Sequence, residues 1–368
     1  MGIKGLHQVL ANIEHPISLK WLENLRVAID GHGWLHRCGQ SALKRHGPDT
    51  TTEADVLRHA ESFFAKAIQK MIDHRITVTL VFDGQTLPLK AEKRRNEDAT
   101  AAKQGQRKHR NRIFPVLPSL VAKLTAVLEA RFSQVGLTVI RAPYEADSQL
   151  AFLYRHKIVD AVVSEDFDLL AYGVGHLVSK VEMNAVTSTI CGNMLEMRYL
   201  PFCNWGDFSR WTGGMFLTFC ILCGCDYLER LPQLGPRTAY NLVSQYGENI
   251  QEILKTRQGV PASYFRDFRR ARLTFRHAVV KNVHEVGAPL VHLTPVSDAD
   301  LPGIGEYLGK MPVNAAHYLN PRKRALARLG EPEPSESSIV SAETPTRLRQ
   351  KLTLRKSMGS ASSIAHQL

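Results

Sequence analysis

Four short apolar runs in the first half of the chain each lead into carboxylates. Val27-Ala28-Ile29 ends in Asp30, and the run Val78 to Phe82 ends in Asp83. Leu137 to Ile140 leads to Glu145 and Asp147, and Ala161-Val162-Val163 leads to Glu165, Asp166 and Asp168. Acids gathered in a poorly solvated cleft repel one another unless something positive sits among them. Divalent cations with oxygen ligands are the simplest remedy. A pair of such ions can make a water nucleophilic and neutralise a leaving oxygen in one in-line displacement.

Such a cluster needs a scaffold that brings distant segments to one edge. Short β-branched runs without alternation read as strands buried on both faces, the signature of a parallel sheet covered by helices. In open sheets of this kind the ligand site lies at the carboxyl ends of the strands. Pro143 predicts a helix that it opens itself, which puts Glu145 and Asp147 in a first turn where helix polarity favours acids. Asp166 and Asp168, two apart on an extended segment, are expected to point the same way. Residues 1 to about 25 read as a leader. Helical patterns begin at Trp34 and run over 55–73, 118–132 and 265–281, with a fully apolar helix around Met215 to Cys223.

The chain has 368 residues, enough for one large α/β domain with an appendage. Lysine and arginine outnumber the acids 47 to 35, a net charge of +12. A basic shell around an acidic centre suits a polyanion whose phosphates are processed there. The segment from Lys90 to Arg112 is strongly basic and poor in large apolar residues, so it is solvated, mobile or helical on contact with a partner. The segment 231–243 reads as a glycine turn opening into a helix, able to present backbone groups to a phosphate or a monovalent ion. Around 265–281, arginines including Arg269 and Arg270 alternate with aromatic and aliphatic residues as a basic amphipathic helix.

No run is apolar and long enough to cross a bilayer, and no secretory signal opens the chain. The six cysteines read as reduced intracellular thiols. Cys220-x-x-Cys223-x-Cys225 raises zinc, but it lies in the apolar helix without a second ligand pair, so core thiols are expected. Residues 330–368 read as disordered. The basic stretch from Arg322 to Arg324 is a candidate nuclear import signal, which places the protein in the nucleus.

Longer phrases resemble the XPG family of structure-specific 5′-nucleases over roughly residues 1–320. They are the opening Met1 to Leu6, Val81 to Pro88, Ala142 to Ala151, Ser164 to Gly173 and Leu222 to Leu228. The wording leans toward the exonuclease branch. The resemblance implies an α/β fold: a mostly parallel central sheet flanked by helices, a helical arch and a C-terminal helix-hairpin-helix. The corresponding boundaries are 1–110, 111–228, 229–329 and the tail. It implies that Asp30, Asp83, Glu145, Asp147, Asp166, Asp168 and Asp226 hold two Mg2+ ions, with Mn2+ as a substitute. Lys90, with Arg94 or Arg95, would act on the scissile phosphate beside Asp83. Gly2, His36, Leu234, Gly235, Arg237, Arg269 and Arg270 would contact DNA that is nicked, gapped, 5′-recessed or flapped.

Three departures from the family pattern stand out. His32 occupies the aromatic wedge position. The stretch between Asp83 and Glu145 is short, which implies a trimmed arch. Gln233 replaces the first glycine of the turn, where the family also holds K+. A monomer is expected, with no membrane role and unidentified repair partners. The alternatives are a flap endonuclease proper and a catalytically idle DNA-binding relative.

Overall fold

The computed structural model describes residues 2–47, 49–103, 116–132, 135–183, 190–285, 287–297 and 303–309. Its elements in chain order begin with α1 (Leu6–Leu10), β1 (Glu14–Ser18), β2 (Arg26–Asp30), α2 (Gly31–His46), α3 (Glu53–Asp73) and β3 (Thr77–Phe82). Next come α4 (Pro88–Lys103), α5 (Pro118–Phe132), β4 (Leu137–Arg141), α6 (Ala146–Arg155), β5 (Ala161–Val163), α7 (Asp168–Ala171), β6 (His176–Met183) and β7 (Ile190–Glu196). The remainder is α8 (Gly213–Cys223), α9 (Pro236–Tyr246), α10 (Ile250–Lys255), α11 (Tyr264–His277), the β8 (Val279–Lys281) and β9 (Leu290–His292) ribbon, and α12 (Gly305–Leu308).

Among the described residues, seven strands form one sheet in the order β1-β7-β6-β5-β2-β3-β4. The block from β6 to β4 is parallel, while β7 runs antiparallel to both β6 and β1. The parallel core matches the expectation from the apolar runs. The supposed leader is different: it contributes α1 and the edge strand β1, whose Pro16 is tolerable because an edge strand can forgo ladder bonds.

Alternate residues of β2 face opposite layers, which is why its run has no polar face. Val27 and Ile29 pack with α2, α3 and α5 side chains such as Trp34, Phe64 and Leu124. Ala28 faces the layer of Leu150, Phe219 and Phe275 from α6, α8 and α11. Burying a side chain such as Phe64 stabilises by roughly 1.5–3 kcal/mol.

The chain proceeds outward from β2 to β3 and β4, then crosses back to β5 on the other side of β2. That reversal is a topological switch point, which opens a crevice at the carboxyl ends of β2 and β5. Asp30 and the segment 164–168 lie there. Three local expectations need correction. The helix expected over 265–281 ends at His277, and Val279–Lys281 pairs as strand β8 instead. Pro143 does not open a helix; α6 starts at Ala146 with Glu145 as its N-cap residue. The helix expected from Trp34 starts three residues earlier, at Gly31, because Asp30 caps it. The basic segment is helical from Pro88 to Lys103; its remainder, the tail and the candidate import signal lie outside the described residues.

Candidate active site

The acids reach the crevice by different local devices. Asp30 ends β2 and caps α2: its Oδ1 accepts the Gly33 N–H at 2.9 Å, and its Oδ2 accepts from Ser164 Oγ at 2.9 Å. Asp83 lies one residue beyond β3 and accepts the Ala146 N–H at 2.7 Å, supplying the cap that Glu145 itself does not make. Ser164 Oγ accepts the Asp166 N–H at 3.0 Å, and Asp166 Oδ1 accepts the Asp168 N–H at 3.0 Å. Asp166 and Asp168 are therefore joined by a tight turn into α7, not by the alternation of an extended strand. Asp226 arrives from the loop after α8.

Positive charge enters from α4. Lys90 Nζ lies 2.8 Å from Glu145 Oε1 and 2.7 Å from Asp226 Oδ2. Burial alone would lower the Lys90 pKa, but those two carboxylates outweigh it and hold it above its ordinary value. Burial likewise pushes Asp226 up, yet the Lys90 ammonium brings it below the usual carboxylate range. The other acids behave oppositely, with Lys90 offsetting only part of the rise at Asp166 and Asp168. Burial, helped by the charge on Asp83, raises Asp30 to about 6 against the Gly33 hydrogen bond. Burial and the charges of Asp166 and Asp30 push Asp147 well up; burial, Asp166 and Asp226 do the same to Asp168. Burial raises Asp166 too, against the hydrogen bond from Asp168.

This is a cleft with too little positive charge. Asp168, only 4% exposed, has an Oδ1 that is buried with no hydrogen-bond partner. Gly2, at φ 95°, closes on the same place: a Cβ there would collide with Asp166 Oδ1 and stand 2.9 Å from Asp168 Oδ1. An all-oxygen donor set with an orphaned carboxylate oxygen fits a hard divalent cation. The acids are not already drawn onto one point, because among the described residues no three of them form a ligating group. Lys90 stands between Glu145 and Asp226 instead.

The other expected residues divide into two groups. Arg94 and Arg95 on α4 and Arg269 on α11 are exposed. His32 accepts the Asp83 N–H at Nδ1 (3.1 Å), and burial lowers the pKa of both His32 and His36. Gly235 is the N-cap residue of α9, with open space beside it. Arg237 donates to the Trp205 carbonyl at 2.7 Å and lies over the Trp205 ring at 4.3 Å. Arg270 grips Glu92 on α4 through two hydrogen bonds of 3.2 and 2.6 Å. Leu234 is 1% exposed and donates its N–H to Leu231, so it faces the core. Gln233 does take the left-handed conformation that its glycine counterpart would favour, at φ 57°. The cysteine expectation fits too: Cys220, Cys223 and Cys225 are free and buried.

Sequence reasoning did not single out four neighbours of the acids. Ser164 braces Asp30, and Lys93 donates to the Cys225 carbonyl at 2.9 Å beside Asp226. Tyr227 donates to Glu145 Oε2 at 2.6 Å, and the Tyr172 hydroxyl lies 2.6 Å from that of Tyr227. Only adjacency to Asp226 hinted at Tyr227.

The structure described as the catalytic core of Rad2 in complex with DNA substrate superposes with a TM-score of 0.54 at 19% identity, covering 93% of this chain and 99% of that one. Profiles for the XPG N-terminal domain and the XPG I-region match residues 1–104 and 136–226. The chain belongs to the XPG family. It is 31% identical to Exonuclease 1 of Arabidopsis thaliana over 81% of this chain and 41% of that protein. It is 29% identical to Exodeoxyribonuclease 1 of Saccharomyces cerevisiae (strain ATCC 204508 / S288c), over 75% and 40%. The chain thus spans about two fifths of the length of these relatives. Flap endonuclease 1 of Leishmania infantum is 27% identical over 84% of this chain and 80% of that protein.

Proposed function

We propose that this protein is a divalent-metal-dependent 5′-nuclease of DNA, an exonuclease that also cuts 5′ flaps, working in repair or recombination in the nucleus. The observation that carries the reading is the acid excess at the switch point, with Asp168 Oδ1 orphaned and the half-buried Lys90 bridging Glu145 and Asp226. Family membership and likeness to exonuclease relatives support it.

Glu145, Asp147, Asp166 and Asp168 would hold one Mg2+, and Asp30, Asp83 and Asp226 a second, with Mn2+ as a substitute. Bound there, such ions would supply the activation of a water nucleophile and the neutralisation of the leaving oxygen. The chain's own groups do the rest. Lys90, released from Glu145 and Asp226, stabilises charge developing on the phosphate, with Arg94 or Arg95 on the exposed face of α4 as its partner. Gly2 lets the backbone approach Asp166 and Asp168 where any side chain would collide. His36, Gly235 and Arg269 face duplex phosphates, which fixes register without reading bases. Arg270 and Arg237 orient α4 and α9 through Glu92 and Trp205 until phosphates compete for them. The turn before Gly235 is the place for K+. In this reading residues 1–228 form the nuclease core, 229–329 grip a nicked, gapped, 5′-recessed or flapped duplex, and the protein acts as a monomer.

The test is magnesium-dependent digestion of nicked duplex against a 5′-flap substrate, with Asp168→Ala as control. Release of single nucleotides from the nick supports the exonuclease, and one discrete flap product supports a flap endonuclease. Equal products from wild type and Asp168→Ala overturn both.

A further inference from the structure

Glu145 is held by both oxygens: Oε1 faces Lys90 Nζ at 2.8 Å, and Oε2 accepts from Tyr227 at 2.6 Å. A tyrosine hydroxyl carries one proton. Because Tyr227 gives its proton to Glu145, the 2.6 Å contact between the two phenols must have Tyr172 as donor. Proton order therefore runs one way, from Tyr172 to Tyr227 to the carboxylate. Both rings are buried, at 3% and 6% exposure, and both rest on one side chain of α11. Phe275 lies 4.8 Å from the Tyr172 ring and 5.0 Å from the Tyr227 ring, centroid to centroid. The basic helix that bears Arg269 thus buttresses the pair from behind.

We propose that Tyr172 and Tyr227 are positioning residues for metal loading: a two-hydroxyl relay pins Glu145 Oε2 and leaves Oε1, the oxygen now facing Lys90, as the one presented to the cation. Successive hydroxyls in a low-dielectric setting polarise one another, so the outer tyrosine strengthens the inner bond. Partners behind metal-holding carboxylates are typically worth about 10- to 100-fold in metal affinity. The proposal rests on the reading that Glu145 holds a divalent ion.

The experiment measures Mg2+ binding to the full chain by titration calorimetry and by the rise in melting temperature with added Mg2+, without DNA. The variants are Tyr172→Phe, Tyr227→Phe, the double variant and Glu145→Gln. Tyr227→Phe is expected to weaken Mg2+ binding about tenfold, and Tyr172→Phe by a few-fold. The double variant should bind no more weakly than Tyr227→Phe alone, because Tyr172 acts only through Tyr227. A purely packing role for the rings would change melting temperature while leaving Mg2+ affinity untouched. Unchanged affinity in Tyr227→Phe, or additive losses in the double variant, overturns the relay. If Glu145→Gln also leaves affinity unchanged, the assignment of Glu145 to the metal falls instead.

Discussion

The two ends of the parallel strands treat buried carboxylates in opposite ways. At the amino ends, charges meet partners. Asp160, just before β5, accepts from the Arg26 guanidinium at 2.8 and 3.1 Å. Glu196 ends β7 opposite His176, the first residue of β6, and is fully buried. Arg198 Nε lies 2.9 Å away, with His176 and His15 at 3.5 and 3.7 Å. Burial would raise Glu196, but His176 beside it, with Arg198 and His15, brings it below its ordinary value. At the carboxyl ends, Asp30, Asp147 and Asp168 face other acids and are pushed up. Burial is common to both ends, so burial does not define the site. The missing counter-charge does, and folds tend to accept such local conflict only where function requires it.

The widest separation between the two ends comes from neutralising one acid in each. Asp168→Asn removes a like charge from the crevice and a proposed metal oxygen with it. Cleavage should fall on the order of 10³-fold, while the metal-free protein melts at a higher temperature than wild type. Cleavage assays paired with melts in a chelator test both halves; a lower melting temperature for Asp168→Asn would break the comparison. Glu196→Gln should do the reverse, leaving cleavage per folded molecule unchanged and destabilising by about 3 kcal/mol, as removal of one partner from a buried ion pair does. The sign against pH follows from the lowered pKa. Glu196 contributes stability above its unfolded value of 4.5 and loses it as pH falls through the folded value. The gap between wild type and Glu196→Gln in denaturant melts should therefore close in acid.

Much of the crevice was legible because carboxylates directly follow buried strands. Asp30, Asp83 and the Asp166–Asp168 pair announce themselves by position after β-branched runs. Asp226 does not, since it follows the apolar helix α8, and only resemblance points to it. The antiparallel flank was hidden for a different reason. β1 carries Pro16 and a half-exposed pattern, and β6 has a bulge between Ser179 and Glu182, with Lys180 at φ 52°. Neither reads as a buried strand. Pro143 misled because the residues after it turn before they coil, and Asp83, from another strand, provides the cap. Long-range pairings such as Tyr227 with Glu145 or Lys90 with Asp226 leave no periodic trace. Their partners are set by the switch in strand order.

A smaller effect separates the two ends by pH alone. Asp30 is raised to about 6 from 3.8, so the wild-type fold is favoured by its protonated form. That contribution is fully present below 3.8 and is lost as pH rises through about 6. Asp30→Asn keeps an N-cap residue without the charge. In metal-free protein its stability should gain on wild type across that window, by up to about 3 kcal/mol at about 1.4 kcal/mol per pK unit. Saturating Mg2+ should cancel the gain, because the ion replaces the proton. A stability difference that is flat between pH 4 and 7, in chemical denaturation followed by fluorescence, would remove Asp30 from the electrostatically strained set.

The smallest effect tests whether backbone strain follows the same division. It does not: Arg75 and Lys157 adopt φ of 57° and 58° at the amino end of the sheet, each just beyond a helix and before β3 or β5. A left-handed residue after a helix satisfies its last carbonyls, and glycine suits it best. Gln233 adopts the same conformation in the turn before α9, where duplex phosphates are proposed to bind. Changing any of the three to glycine relieves a similar steric penalty, set against greater freedom of the unfolded chain, and should shift stability by at most about 1 kcal/mol. The readout that separates them is affinity for nicked duplex at several salt concentrations. Gln233→Gly should alter it, and Lys157→Gly and Arg75→Gly should alter it only by the modest screening change expected from one lost charge. If all three variants change DNA affinity alike, the turn at Gln233 is an ordinary helix entry, and the carboxyl end of the sheet is distinguished by its excess of acids alone.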